Sequence, residues 1–230
     1  MIKSRQMLRG CAAGAFFAAI GAIGMATPAA AAPANAAVQT LHGTLTALNG
    51  SGARGTLNLQ LVGDRYLTVQ INANGLEPGV PHVGHIHGLV ANDSPVNSNC
   101  PTTAQDVDHD SFVELAEGQV TYGPIIIPFG NVDPDMDGRV QFRHTFDLND
   151  PSIYAAGFSK SDVLPLDLRE VVLHGMTLQA GQGATNANSL PPNEADGTAG
   201  FKAVLPVTCG DIQNTGRNPL QFMVPPHHNH

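Results

Sequence analysis

Alternation of apolar and polar residues runs through the sequence from residue 38 onward and predicts β-strands. In residues 55–62 and 66–72 apolar residues recur at alternate positions, which is the period of a strand with one buried face. Turn-forming pairs such as Asn49-Gly50 and Gly63-Asp64 separate the first strands and predict a meander. Further β-rich segments are residues 38–47, 83–90, 125–127, 140–146, 170–174 and 200–209. We therefore predict an all-β fold, an eight-stranded antiparallel Greek-key barrel or sandwich with long loops.

The two ends of the chain differ from this central region. Residues 1–32 combine a basic start, an apolar run and a stretch of small residues, which is the layout of a secretory signal. A membrane anchor is the less favoured alternative, because the apolar run is short and rich in Ala and Gly. We predict a signal peptide over residues 1–32, one β domain over residues 37–212 and a flexible His-rich tail over residues 213–230. The expected location is periplasmic or secreted, without a membrane span.

The charge of the chain limits its partners. The full sequence has 11 basic and 19 acidic residues and a net charge of −8. Removal of Lys3, Arg5 and Arg9 with the signal leaves 8 basic residues against the same 19 acids, so the net charge becomes −11. Nucleic acids and anionic membranes need basic patches, and this balance argues against both as partners.

Only two cysteines, Cys100 and Cys209, remain after the signal peptide. In an oxidising compartment such a pair is expected to form one disulfide. A cysteine metal site is the alternative, but the C-x-x-C spacing that usually marks it is absent.

Two histidines form the first candidate for chemistry. His85 and His87 lie two positions apart in a predicted strand, so both imidazoles project from one face while Ile86 points into the core. Two imidazoles on one rigid face are half of a metal site, although an isolated H-x-H is more often a pair of unrelated exposed histidines. His82 lies three residues before His85, so its side chain is not on the same face as the pair, and it is expected to support the neighbouring loop.

The order of several motifs resembles the copper/zinc superoxide dismutase family. The segments that carry the resemblance are His82-Val-Gly-His-Ile-His-Gly88, Cys100, His109, Gly130-Asn-Val-Asp-Pro-Asp-Met-Asp-Gly138, Val171-Val-Leu-His174 and Thr208-Cys-Gly210. The resemblance implies a superoxide dismutase-like β domain with copper ligands His85, His87, His109 and His174. It also implies superoxide as substrate, dismutated to oxygen and hydrogen peroxide. Four imidazoles suit copper(II).

The sequence departs from that family at two places. No histidine lies between His109 and Gly130, Pro128-Phe129 replaces an expected Asp, and Leu178 stands where a carboxylate is expected. These replacements make zinc unlikely and point to a copper-only variant. The family's anion-attracting Arg falls on Pro206, which leaves Lys202 as the nearest cation and as an imperfect catalytic substitute. The resemblance therefore predicts slow or absent dismutation, since such a charge raises the rate at which an anion arrives.

Other interpretations stay open at this point. The chain could be a copper-handling protein with the same fold, helped by weak metal binding at the tail residues His227, His228 and His230. The His-Ile-His-Gly motif also resembles CHRD domains, which are extracellular β modules without established catalysis. Asp133, Asp135 and Asp137 followed by glycine resemble the start of an EF-hand loop, but His144 replaces the glutamate at the twelfth position, which favours a plain hairpin turn.

Overall fold

The structure is a computed structural model that describes residues 37–183 and 194–214. The predicted signal peptide and nearly all of the predicted tail lie outside these described residues, so both remain predictions. Within the described part, no helix is long and apolar enough to cross a membrane.

Strands are the main regular structure of the described chain. They are β1 (Val38–Ala47), β2 (Arg54–Val62), β3 (Tyr66–Asn74), β4 (Val83–His87), β5 (Leu89–Ala91), β6 (Ser94–Val96), β7 (Ile125–Asn131), β8 (Arg139–Asp147), β9 (Glu170–Leu178), β10 (Gly200–Asp211) and β11 (Gln213–Asn214). Two short α-helices, α1 (Leu115–Tyr122) and α2 (Lys160–Val163), lie in the connections.

The sheet follows a non-sequential order. Its path is β7-β4-β9-β10-β1-β2-β3-β8, with β11 added beside β1 and β5 paired with β6 separately. All pairings are antiparallel. The chain crosses three times between the half that holds β1 to β3 and β8 and the half that holds β4, β7, β9 and β10, as Greek-key connections do. The predicted fold class, an all-β eight-stranded antiparallel sheet, is confirmed.

The curled sheet encloses one main core. Alternate residues of β2 and β3 are buried, as the two-residue period predicts. Ile86 of β4 belongs to the same core and is fully buried. Phe129 of β7 stacks on Phe142 of β8 with 5.3 Å between ring centroids, so the two end strands of the sheet meet across the interior.

The structure corrects the sequence prediction between residues 83 and 123. The strand expected over residues 83–90 is split at Gly88, where a Cβ atom would clash with the buried side chain of Arg169. The stretch predicted as loop contains helix α1. Its start is capped by backbone and carboxylate bonds between Glu114 and Glu117, a capping arrangement without the usual Ser or Thr.

The predicted disulfide between Cys100 and Cys209 is confirmed. Cys209 lies in β10, while Cys100 lies in the long connection that leads to α1. Cys209 is buried in a small cluster with Tyr122 of α1 and Val172 of β9, on the face of the sheet opposite the main core. The disulfide therefore holds this connection against that outer face. It is also typical of proteins that fold in an oxidising compartment.

Loss of the disulfide should lower the free energy of unfolding. The bond joins residues 109 positions apart, so it removes much loop entropy from the unfolded chain, worth about 4 kcal/mol. We expect the double variant Cys100→Ser, Cys209→Ser to unfold at a lower urea concentration than the oxidised protein. Its free energy of unfolding should be lower by about 4 kcal/mol. The reduced protein should match the variant, and equal midpoints for oxidised protein and variant would contradict the expectation.

Candidate metal centre

Strand register brings three predicted ligands together. His85 and His87 share one face of β4, and Val83, two residues before His85, lies on that face as well. His174 lies on the neighbouring strand β9 directly opposite Val83, so its side chain is on the same face. Ring centroids are 5.4 Å apart for His85 and His87, 5.0 Å for His85 and His174, and 5.6 Å for His87 and His174. One ring nitrogen from each histidine lies within 4.8 Å of the other two, a spacing at which one ion could contact all three.

Backbone carbonyls determine which nitrogen of two rings is free. The Nδ1–H of His87 donates to the carbonyl of Gly123 at 2.9 Å, and the Nδ1–H of His174 donates to that of Val204 at 2.7 Å. A carbonyl can only accept, so both rings carry their proton on Nδ1 and leave a bare lone pair on Nε2. Those two Nε2 atoms and Nδ1 of His85 are buried without a hydrogen-bond partner among the described residues. Unpaired buried nitrogens are costly unless a ligand satisfies them.

The surroundings also keep the three rings neutral. Burial, reinforced by the nearby His174, lowers the pKa of His85 to about 3 and that of His87 well below its usual range. Burial lowers the pKa of His174 to about 4. A metal binds only the unprotonated imidazole, so these shifts favour the form that can act as a ligand near neutral pH.

Helix α1 closes one side of the centre. Tyr122, the last residue of α1, packs edge-on against His87 with 4.7 Å between ring centroids. The next residue, Gly123, supplies the carbonyl that holds His87. A Cβ atom on Gly123 would clash with the carbonyl of Gly88, so only glycine allows the two chain segments to approach this closely. Two histidines, His87 and His174, are 1% exposed, whereas His85 is half-buried and marks the open side of the centre.

His109, the fourth predicted ligand, is not part of this group. It is exposed in the connection before α1 and has a φ of 61°. The three-histidine group does not include it, and its role as a copper ligand remains a prediction. The buried ring of His82 lies between two backbone carbonyls, with Nε2 2.9 Å from that of Glu77 and Nδ1 3.3 Å from that of His174, and a neutral ring donates its single N–H to one of them.

Lys202, the predicted catalytic cation, is only 4% exposed. Its amino group forms an ion pair with Asp196 and donates to the hydroxyl of Thr198 at 2.8 Å. The same contact lowers the pKa of Asp196 to about 2. The carboxylate of Asp196 therefore neutralises the positive charge of Lys202, which was expected to attract superoxide. Pro206 lies in an irregular stretch of β10, opposite His174, where the register with β9 shifts.

Several contacts of the centre were not predicted from the sequence. These are the carbonyls of Gly123 and Val204 and the ring of Tyr122. The carbonyls have no sequence signal, since every residue carries one. Tyr122 was detectable in principle, because it is the aromatic residue directly before the glycine that ends α1.

The centre can hold a transition metal through three neutral imidazoles. Imidazole is a ligand for copper, zinc, iron and nickel. Three protein nitrogens leave further coordination positions for a fourth ligand, water or a small substrate.

Comparison with known proteins gives a weak likeness in structure and none in sequence. No protein-family model matches the chain, and no curated protein matches it. A mutant of superoxide dismutase 5 from Candida albicans aligns at 14% identity over 81% of this chain and 99% of that one, with a TM-score of 0.34. A double mutant of a superoxide dismutase-like protein from Bacillus subtilis aligns at 21% identity over 74% and 95%, with a TM-score of 0.32. At these TM-scores the likenesses decide nothing about function, and they lend no support to the CHRD resemblance.

The tautomers of the buried rings can be measured directly. In the metal-free protein near pH 6, below the ordinary histidine pKa of about 6.5, we expect His87 and His174 to stay neutral with the proton on Nδ1. Long-range proton–nitrogen correlation spectra distinguish this tautomer from the Nε2–H form and from the charged ring. Resonances are assigned with His87→Gln and His174→Gln, and the exposed His42 serves as the reference. A charged ring or an Nε2–H tautomer at either position would contradict the proposed free lone pairs.

Proposed function

We propose that the chain is an exported copper-binding protein with a copper-only centre at His85, His87 and His174. The observation that carries the proposal is the close approach of three histidines whose buried nitrogens lack hydrogen-bond partners among the described residues, with the Nε2 lone pairs of His87 and His174 left free by their Nδ1–H bonds. The motif order that resembles copper/zinc superoxide dismutases supports the same choice of metal. Export is supported by the signal-like residues 1–32 and by the disulfide.

Copper is favoured over zinc by the ligand chemistry. Divalent copper binds nitrogen ligands more tightly than zinc does. We further propose that His109 completes the copper coordination after a movement of its loop.

The histidines hold and orient the metal in different ways. His87 and His174 are fixed by their Nδ1–H bonds to carbonyls, so the Nε2 atoms keep their direction and the rings cannot flip without losing a buried hydrogen bond. The half-buried His85 lies on the side from which a small molecule can approach. Bound copper would supply the one-electron chemistry that converts two superoxide ions and two protons to oxygen and hydrogen peroxide.

A copper-handling role without fast dismutation is the second candidate. It is favoured by the ion pair between Lys202 and Asp196, because a compensated cation attracts an anion weakly. The proline at position 206 offers no charge in place of the family's arginine.

Copper binding should depend on the three clustered histidines. After loading with copper(II) and removal of excess metal, we expect one tightly bound copper in the native protein. We expect the copper affinity to fall by more than about tenfold in each of the variants His85→Ala, His87→Ala and His174→Ala. Loss of a group that only holds a ligand in place already lowers metal affinity at least tenfold, and these changes remove the ligand itself. Metal content and copper electron paramagnetic resonance, which counts coordinating nitrogens, provide the measurement.

The matched control is His42→Ala, a change of an exposed histidine on β1. It should bind copper like the native protein. Equal binding by all four variants, or no tight copper in the native protein, would overturn the proposed centre. His109→Ala separately tests the fourth ligand through the number of coordinated nitrogens.

Superoxide consumption by the copper-loaded protein separates the two candidate functions. Catalysis that is lost in His174→Ala supports a dismutase. Tight copper with no more superoxide loss than in His174→Ala supports the copper-handling role.

A further inference from the structure

A second group of ligand-type residues lies between Cys100 and helix α1. In residues 106–117 the acids are Asp106, Asp108, Asp110, Glu114 and Glu117. They occupy the first, third, fifth, ninth and twelfth positions of a twelve-residue stretch. These are the side-chain positions through which an EF-hand loop holds calcium, directly or through water. From the sequence we compared only Asp133, Asp135 and Asp137 with an EF-hand loop, and the more complete pattern in residues 106–117 was missed.

The fold brings these five carboxylates together. Oxygens of Asp106, Asp108 and Glu117 lie within 4.8 Å of one another, and so do oxygens of Asp108, Asp110 and Glu114. Asp108 belongs to both groups and therefore links them into one cluster. Glu117 also faces the start of the stretch, because its Oε1 accepts the backbone N–H of Val107 at 2.7 Å.

Glu114 provides independent evidence that the cluster suits a cation. Its side chain is 1% exposed, and its Oε1 is buried without a hydrogen-bond partner among the described residues. Asp110 likewise has a buried, unpartnered oxygen, Oδ2. Burying carboxylate oxygens without a partner is costly, and a bound cation removes that cost.

No basic side chain fills this role in the described part of the chain. The ion pairs found there join Arg65 to Asp147, Lys160 to Asp64 and Lys202 to Asp196, and none includes a residue of the cluster. Without a cation, burial and the neighbouring carboxyl groups raise the pKa of Glu114 to about 10. Near neutral pH Glu114 therefore holds a proton, in the place that a bound cation would fill.

The backbone of the stretch also has the shape that a calcium loop needs. Ser111, at the sixth position where EF-hands have glycine, has a φ of 78° and donates its N–H to Oδ2 of Asp106 at 3.0 Å. Gly138 makes the corresponding bond to Oδ2 of Asp133 at 3.0 Å with a φ of 79°. That second loop has only three carboxylates in its group and His144 at its twelfth position, so it lacks the bidentate ligand.

We propose that residues 106–117 form a calcium site in which Asp106, Asp108, Asp110, Glu114 and Glu117 supply the side-chain oxygens. Calcium takes six to eight oxygen ligands, and a bidentate glutamate favours it over the smaller magnesium ion. Carboxylate oxygens suit calcium and imidazoles suit copper, so this site is chemically distinct from the three histidines.

The position of the site connects it to the histidine centre. Helix α1 begins at the tenth position of the stretch and ends at Tyr122, which packs on His87. Bound calcium would fix the start of the helix whose end holds His87.

Calcium titration of the purified, copper-free protein tests the proposal. Extracellular calcium modules bind with dissociation constants of roughly 0.1 to 1 mM, so isothermal titration should extend to about 10 mM calcium chloride. We expect binding of calcium well before magnesium. Glu117→Gln should weaken it by more than about tenfold, because it removes a direct ligand where loss of supporting groups already costs that much.

Two control variants locate the site. Asp93→Asn removes one exposed charge outside the loop, and Asp137→Asn removes an acid of the second loop; both should keep the native affinity. Undiminished binding by Glu117→Gln, loss of binding in Asp137→Asn, or no binding up to the highest concentration would each overturn the proposal. Circular dichroism checks that Glu117→Gln folds, and Asp108→Ala, which changes a less buried residue, replaces it where it does not. Because copper is absent throughout, failure of this site leaves the proposed copper centre untouched.

Discussion

The candidate centre depends on two hydrogen bonds from histidine Nδ1 atoms to backbone carbonyls. Without them, His87 and His174 could place the proton on either ring nitrogen and turn either edge toward the group. With them, both Nε2 atoms keep a free lone pair, and one ring nitrogen from each of the three histidines lies within 4.8 Å of the other two. The carbonyls lie on different parts of the chain, one at the end of α1 and one in β10. Correct folding of both segments is therefore a condition for a correctly oriented set of ligands.

The outer face of the sheet explains why these segments stay in place. Residues that alternate with the main core, such as Val172 and Cys209, would be exposed if the connection before β7 did not cover them. The disulfide and Tyr122 hold that connection against the face, and the same burial lowers the pKa of the nearby histidines. The connection that covers this outer face thus both stabilises the fold and keeps the histidines in the neutral form that binds a metal.

Much of the sheet could be predicted from the sequence, because a strand with one buried face produces a two-residue period. β1, β2 and β8 lie within one or two residues of the predicted segments. His85 and His87 were placed on one face for the same reason, whereas His174 came from resemblance to a family. The end of β4 and helix α1 were missed, because Gly88 is constrained by the distant Arg169 and α1 is too short to show a clear period.

The two proposed metal sites also account for the residues that the family resemblance left unexplained. The zinc site that the resemblance implies has imidazoles beside a carboxylate, and the stretch that follows His109 supplies only carboxylates. Those carboxylates have the spacing of the calcium ligands in an EF-hand loop. Glu114 is too buried for water to solvate its charge. An ion bound there would order the stretch that carries His109 and leads to Gly123, so we expect His109 to reach the copper only while that ion is absent. We infer that the chain keeps its buried imidazoles for a transition metal and stabilises the surrounding loop with a hard cation, so the two ions use different ligands.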